Sequence, residues 1–198
     1  MNRFRTAFVA ACICLIAVPA SAALKVGDVA PNFTGTGSRG GKTFTFNLAD
    51  ALKKGPVVLY FFPSAYTQGC DLEAHTFATE MNKFTEAGAS VVGVSADNLQ
   101  RLKQFSADPH FCAGKFPIVS DESTRIAATY KLKVTPAIPG AKDVRGVVIG
   151  HGFIERFTYV IAQSGKIVAE FSSQRDHLTP PEHVYKSLAV VRKLKAGG

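Results

Sequence analysis

Cysteine is scarce in this chain: there are four in 198 residues, and two of them, Cys12 and Cys14, fall inside an apolar amino-terminal run. Cys70 and Cys112 are left for a folded domain, far short of a disulfide scaffold. Two thiols allow one structural bridge or one redox pair. There is also no C-x-x-C ending at Cys70, because Thr67 stands where the first cysteine of such a motif would be. That argues against dithiol exchange from this turn. The five histidines (His75, His110, His151, His177 and His183) lack metal-ligand spacing, so neither a metal nor another cofactor is expected. The formal charge of +8 comes from scattered lysines, the densest group being Lys186, Arg192, Lys193 and Lys195 near the carboxy terminus. With no nucleic-acid motif and no interleaved aromatics, those charges read as a solvated helix face, and no nucleic-acid partner is expected. Internal repeats, low-complexity segments and an interdomain linker are all missing.

What is present begins with a targeting pattern. Residues 1–5 carry Arg3 and Arg5, residues 6–18 are almost wholly apolar, and Ala20-Ser21-Ala22 supplies a small-x-small cleavage pattern. The apolar run is about 13 residues, against the roughly 20 that a spanning helix needs. Residues 1–22 therefore read as a signal peptide, with a retained amino-terminal membrane anchor as the other reading. Residues 23–198 read as one domain, long enough to bury roughly 70% of its unfolded surface. Export, to a bacterial periplasm, is the expectation, with no stable membrane anchor after cleavage.

Along that domain, residues 26–33 look extended, and 35–41, rich in glycine, read as a turn between two short strands. The second of these strands is 43–46, with period-two alternation. A short helical turn at 47–52 precedes an apolar strand at 57–62. From about Thr67 to Ala87 a helix is predicted, with Ala74, Phe77, Ala78, Met81 and Phe84 on one face and Gly88 just past its end. A strand at 90–95 follows, then a helix capped by Asp97 or Asn98, with Leu99, Leu102 and Phe105 as its stripe. Phe116-Pro117-Ile118-Val119-Ser120 reads as an edge or irregular strand because of its proline. A brief helix begins at Asp121 or Ser123. Residues 134–154 read as a loop in which 147–149 are a possible strand. A hairpin (157–162 and 167–171) and a final helix opened by Thr179-Pro180-Pro181-Glu182 complete the chain. The order implies an α/β domain, one mixed sheet with helices on both faces.

The chemistry concentrates at residues 63–70. Cys70 falls in the first turn of a helix that starts just past a buried strand, where the macrodipole and free N–H groups favour a thiolate. Pro63-x3-Thr67-x2-Cys70 after such a strand resembles the active-site motif of peroxiredoxins. Arg156, immediately before the strand that starts at Phe157, matches that family's arginine. The likeness extends through Gly93-Val94-Ser95-Ala96-Asp97, 116–121 and Gly165-Lys166-Ile167, and is greatest to the bacterioferritin-comigratory (type Q) branch. The resemblance implies a thioredoxin-like fold and a thiol-dependent peroxidase acting on hydrogen peroxide or small organic hydroperoxides. Cys70 would be the peroxidatic cysteine. Thr67 would hydrogen-bond the peroxide, Pro63 would shield the sulfur, and Arg156 would hold the thiolate and the peroxide oxygen. Glu73, one turn on, would pair with Arg156 or simply lie on the helix surface.

Two departures follow from the same resemblance. The short-range resolving position of the type Q branch is His75 here. Cys112 is the remaining candidate for the resolving cysteine, set after rather than within the helix that follows residue 95; the other reading makes it a buried free thiol. An intramolecular disulfide would be reduced by an external dithiol protein, thioredoxin-like or glutaredoxin-like. A monomer or weak dimer is expected. The competing readings are an exported thiol–disulfide oxidoreductase of the same fold and a catalytically silent copper-binding module.

Overall fold

A computed structural model of the chain describes residues 22–197. Apart from Ala22, the signal-peptide reading lies outside the described residues. Among them, no helix is long and apolar enough to cross a membrane.

The centre is β3 (Val57–Phe61), buried at every position. Its side chains alternate between two cores, as strand geometry requires. Val57, Leu59 and Phe61 join one cluster, and Val58, Tyr60 and the following Phe62 join the other. The first cluster is closed by α1 (Leu48–Leu52) and α4 (Arg125–Thr129). The second is closed by α2 (Gln68–Glu86), α3 (Leu99–Ala107) and, after the short α5 (Ser173–Asp176), α6 (Pro180–Ala196). Covering both faces explains why β3 reads as an unbroken apolar run rather than an alternating one. Beside β3 run β4 (Ser90–Ser95), parallel, and β8 (Phe157–Ile161), antiparallel. With β1 (Thr34–Arg39), β2 (Lys42–Asn47), β5 (Ile118–Ser120) and β9 (Ile167–Ser172), the seven-stranded order is β2-β1-β5-β4-β3-β8-β9. This is the mixed sheet the sequence implies, flanked on both faces. Cys70 and Cys112 both belong to the second core.

Three local readings are corrected. Residues 35–39 are strand, and the turn shrinks to Gly40 and Gly41, with φ of 57° and 78°. Gly35 and Gly37 are needed for close packing: a Cβ on Gly37 would lie 2.5 Å from the Ile118 carbonyl oxygen, and one on Gly35 2.5 Å from Val119 Cγ1. β5 is not an edge but an inner strand of three residues between β1 and β4. Pro117 is tolerated because it sits ahead of the strand, where its carbonyl accepts from Gly93 N–H (3.1 Å) and no proline donor is asked for. Residues 147–149 form no strand; Val147 and Val148 are exposed and only Ile149 is buried. Instead β6 (Val134–Thr135) pairs with β7 (Phe153–Ile154) in a separate ribbon, and residues 136–152 extend from it as an arm.

α4 begins at Arg125, after Thr124, later than the start expected at Asp121 or Ser123. Asp121 accepts from Ile126 and Ala127 N–H (3.1 and 2.9 Å) and so stabilises the start of α4 from outside the helix. Thr179 and Glu182 make the expected reciprocal capping box on α6.

α6 is fastened to the sheet by His183. This side chain is fully buried, with Nδ1 2.9 Å from Thr158 Oγ1 and Nε2 2.9 Å from Ser173 Oγ. Burial first, and then the nearby positive charge of Arg156, lower its pKa to about 4. The unfolded chain then binds the extra proton between that value and the ordinary pKa near 6.5. Stability from this group is therefore complete above about pH 6.5 and is lost as pH falls toward 4. Urea unfolding of wild type should show about 2 kcal/mol more loss between about pH 7.5 and pH 5 than His183→Gln. Equal losses in the two proteins would contradict the assignment.

Candidate active site

β3 delivers the chain into a buried loop, residues 62–66, and then into α2. Thr67 occupies the N-cap position, but its hydroxyl donates back to the Ser64 carbonyl (2.8 Å) and not to the helix. The first-turn N–H groups are thus left without a side-chain cap, which suits an anion. Cys70 lies in this turn, 2% exposed. Pro63 is half-buried at the loop's start. Tyr66 holds a left-handed backbone (φ 59°), an unusual state for a residue with a side chain.

The sheet register brings in Arg156. Phe157 is opposite Phe61, so Arg156 emerges where β3 ends and the Cys70 loop begins. Its Nη2 donates to Cys70 Sγ at 3.2 Å, and its Nη1 donates to Glu73 Oε2. Gly69 leaves the necessary room, since a Cβ there would come within 3.3 Å of Nη2. Cys70, Thr67, Arg156 and Glu73 are therefore gathered at one point, and Glu73 is fully buried rather than on the helix surface.

The electrostatics depart from the simple helix-start expectation. Burial raises the Cys70 pKa above its ordinary value, although Arg156, the Thr67 hydroxyl and the Ser64 backbone pull it down. Glu73 adds a smaller upward push. A thiol enclosed by apolar groups loses hydration that its charged form needs, which raises its pKa. Glu73 itself is raised to about 7 by burial, against the pull of Arg156. Its Oε1 is buried without a partner, consistent with a carboxylate only half satisfied by one guanidinium.

Cys112 follows α3, as expected, and is fully buried and free, like Cys70. Burial, then Asp108 and Asp71, push its pKa well up. Its neighbour Phe111 stacks on Phe105 (5.1 Å), and both rings meet Tyr66 edge-on at 5.5 and 5.1 Å. The Cys70 loop and the Cys112 turn thus share one aromatic cluster. His75 links the same two segments, its Nδ1 2.9 Å from the His110 carbonyl oxygen.

Sequence reasoning missed how Asp97 serves this loop. Asn98, not Asp97, caps α3, accepting from Arg101 N–H at 2.8 Å. Asp97 turns inward, where Oδ2 accepts from Ala65 N–H (2.7 Å) and Oδ1 from Ser64 Oγ (2.9 Å). The signal was the adjacent pair of possible caps, which leaves one of them free for another task.

A family model described as the AhpC/TSA family matches residues 26–170. The chain belongs to the AhpC/TSA family. Among its peroxiredoxin relatives, chloroplastic peroxiredoxin Q of Triticum aestivum is 30% identical over 168 residues, covering 85% of this chain and 67% of that protein. Peroxidoxin BcpB from Mycobacterium tuberculosis has a similar structure: the TM-score is 0.68 at 28% identity, with 86% of this chain and 97% of that one covered. The bacterioferritin comigratory protein of Xanthomonas campestris gives 0.62 at 25% identity, covering 81% and 91%. This peroxiredoxin is of the type Q, bacterioferritin-comigratory kind, with a thioredoxin-like fold, and it is a thiol peroxidase.

The Arg156 fork makes opposite predictions for its two acceptors. Glu73→Gln should lower the Cys70 pKa by removing a buried negative charge, and Arg156→Met should raise it. The pH dependence of iodoacetamide alkylation at Cys70 reads both. Shifts of the same sign in the two variants would contradict this electrostatic account.

Proposed function

We propose that Cys70 is the peroxidatic nucleophile of an exported thiol peroxidase, that its substrates are hydrogen peroxide and small organic hydroperoxides, and that Cys112 resolves it. The observation that carries this reading is the guanidinium of Arg156 set 3.2 Å from the sulfur of a helix-start cysteine. The Cys70 thiolate attacks the nearer peroxide oxygen and the O–O bond breaks. The sulfur becomes a sulfenate, the departing oxygen leaves with the peroxide's own proton as water or alcohol, and the sulfenate takes a proton from solvent to give the sulfenic acid. Arg156 faces the negative charge that grows on the departing oxygen, as preorganised donors do in acyl and phosphoryl transfer. Thr67, whose hydroxyl donates to the Ser64 carbonyl and whose hydrogen bond to the sulfur favours the thiolate, is placed to hydrogen-bond the peroxide. Pro63, half-buried at the start of the loop, shields the sulfur.

In the second step Cys112 sulfur attacks the Cys70 sulfenic acid, water leaves, and a Cys70–Cys112 disulfide forms. A thioredoxin-like or glutaredoxin-like dithiol then reduces that bond by exchange. Shared burial in one core and the Tyr66–Phe111 contact support Cys112 in this role. The Xanthomonas campestris protein is described by its alkyl peroxide reduction activity, which supports organic hydroperoxides as substrates here. Export to the periplasm rests on the pattern of residues 1–22.

Steady-state peroxide consumption with a thioredoxin-type reductant tests the scheme. Cys70→Ser should fall to background. Cys112→Ser should consume one equivalent of peroxide and then stall. Undiminished turnover in Cys70→Ser would refute the nucleophile, and undiminished turnover in Cys112→Ser would refute the resolving step.

A further inference from the structure

The arm of residues 136–152 is fastened to the Cys70 loop by a network that the peroxidase scheme does not use. Asp97 lies at its middle, with its side chain completely buried. Besides Ser64 and Ala65, its carboxylate accepts from Ser95 Oγ (2.6 Å) and His151 Nε2 (2.8 Å) and pairs with Arg101 (2.8 Å). Arg101 also donates to the Ala65 carbonyl and pairs with Asp143 on the arm, both at 2.8 Å. Val144 N–H donates to the Tyr66 carbonyl (2.9 Å), and the Arg145 guanidinium lies 3.3 Å from the centre of the Tyr66 ring. The left-handed Tyr66 is thus held by the arm, and the two residues before it are held by Asp97.

The hydrogen-bond geometry decides the charge of His151. Its Nδ1 lies 2.8 Å from the Gly152 carbonyl oxygen, and its Nε2 lies 2.8 Å from Asp97 Oδ1. Both oxygens are acceptors, and the Asp97 carboxylate is already surrounded by donors. Each ring nitrogen must therefore donate, which only the imidazolium can do. A neutral ring would turn one lone pair toward an acceptor oxygen.

We propose that His151, as an imidazolium, is a positioning residue that pins the arm and the Cys70 loop to the single carboxylate of Asp97. Loss of its proton slackens the loop and slows the attack of Cys70 on peroxide. The proposal rests on Cys70 being the peroxidatic nucleophile. The charged groups around the ring are Asp97 beyond β4, Arg101 on α3, Glu122 beyond β5, and Asp143 and Arg145 on the arm. Burial pulls the His151 pKa down, and the bonds to Asp97 and Gly152 outweigh it, leaving the pKa above the ordinary value. The sign follows: the clamp is complete on the acid side and is lost as pH rises through this raised pKa.

The test pairs NMR titration of the His151 ring in the reduced wild-type protein with stopped-flow measurement of its first turnover with hydrogen peroxide. His151→Gln, which keeps one donor and cannot titrate, is measured beside it. The ring should carry protons on both nitrogens at neutral pH. The ratio of wild-type to variant rate constants cancels the ionisation of Cys70 common to both. It should be about tenfold on the acid side, the scale of one charge-assisted hydrogen bond. It should approach unity above the pH at which NMR shows the ring losing its proton. A neutral ring at neutral pH, or a ratio that does not change with pH, would overturn the proposal while leaving the peroxidase reading intact. A wild-type protein that does not react with peroxide would overturn both.

Discussion

In the proposed reaction the fold buries a sulfur that has to carry negative charge, and the single guanidinium of Arg156 is the main influence favouring that charge. Dehydration of Cys70 raises its pKa, and Arg156 is the largest influence in the other direction. That guanidinium is in place because β8 pairs with β3 in the register that sets Phe157 against Phe61. The backbone of Arg156 is held further at its carbonyl by Ser173 N–H, beside the site where His183 fastens α6. Sheet register, helix docking and thiol chemistry thus meet at one residue. Glu73 keeps the fork oriented but competes for it, so the reactivity of Cys70 depends on how one cation is shared between two buried acids.

The second constraint is the shape of the loop that carries the sulfur. A non-glycine residue in a left-handed backbone costs on the order of 1 kcal/mol or more, and Tyr66 holds that state within a loop of five buried or half-buried residues. Asp97, Arg101 and the arm surround the loop with hydrogen bonds, an ion pair and a stacked guanidinium. On the far side, Phe105 and Phe111 support the same tyrosine ring and lead to Cys112. A residue that sequence patterns leave unremarked is the junction between the reactive loop, the arm and the second thiol.

How legible was this in the sequence? The strand–helix alternation around Cys70 was, because β3, α2 and β4 are long and their periodicity is undiluted. The motif of Pro63, Thr67 and Cys70, with Arg156 ahead of a strand, identified the family, and its geometric consequence is seen in the fork from Arg156 to Cys70. Where the reading failed, the deciding interaction was non-local. Gly35 and Gly37 look like turn residues until the backbone of β5 is placed against them. The helix-start argument for a low thiol pKa is local, whereas the burial that opposes it comes from three helices and a sheet. Asp97 and Asn98 are equivalent caps on paper, and only the position of Ala65 shows which one is taken. The arm of residues 136–152 shows no periodicity, and ion pairs, a backbone hydrogen bond and a stacked guanidinium hold it to the loop.

The central claim is that Cys70, and not Cys112, meets the peroxide. It is tested most directly by adding one equivalent of hydrogen peroxide to the reduced protein in the presence of dimedone and mapping the adduct by peptide mass spectrometry. The account predicts the sulfenic-acid adduct on Cys70, with Cys112 unlabelled. An adduct on Cys112, or oxidation of Cys112 while Cys70 stays a free thiol, would contradict it.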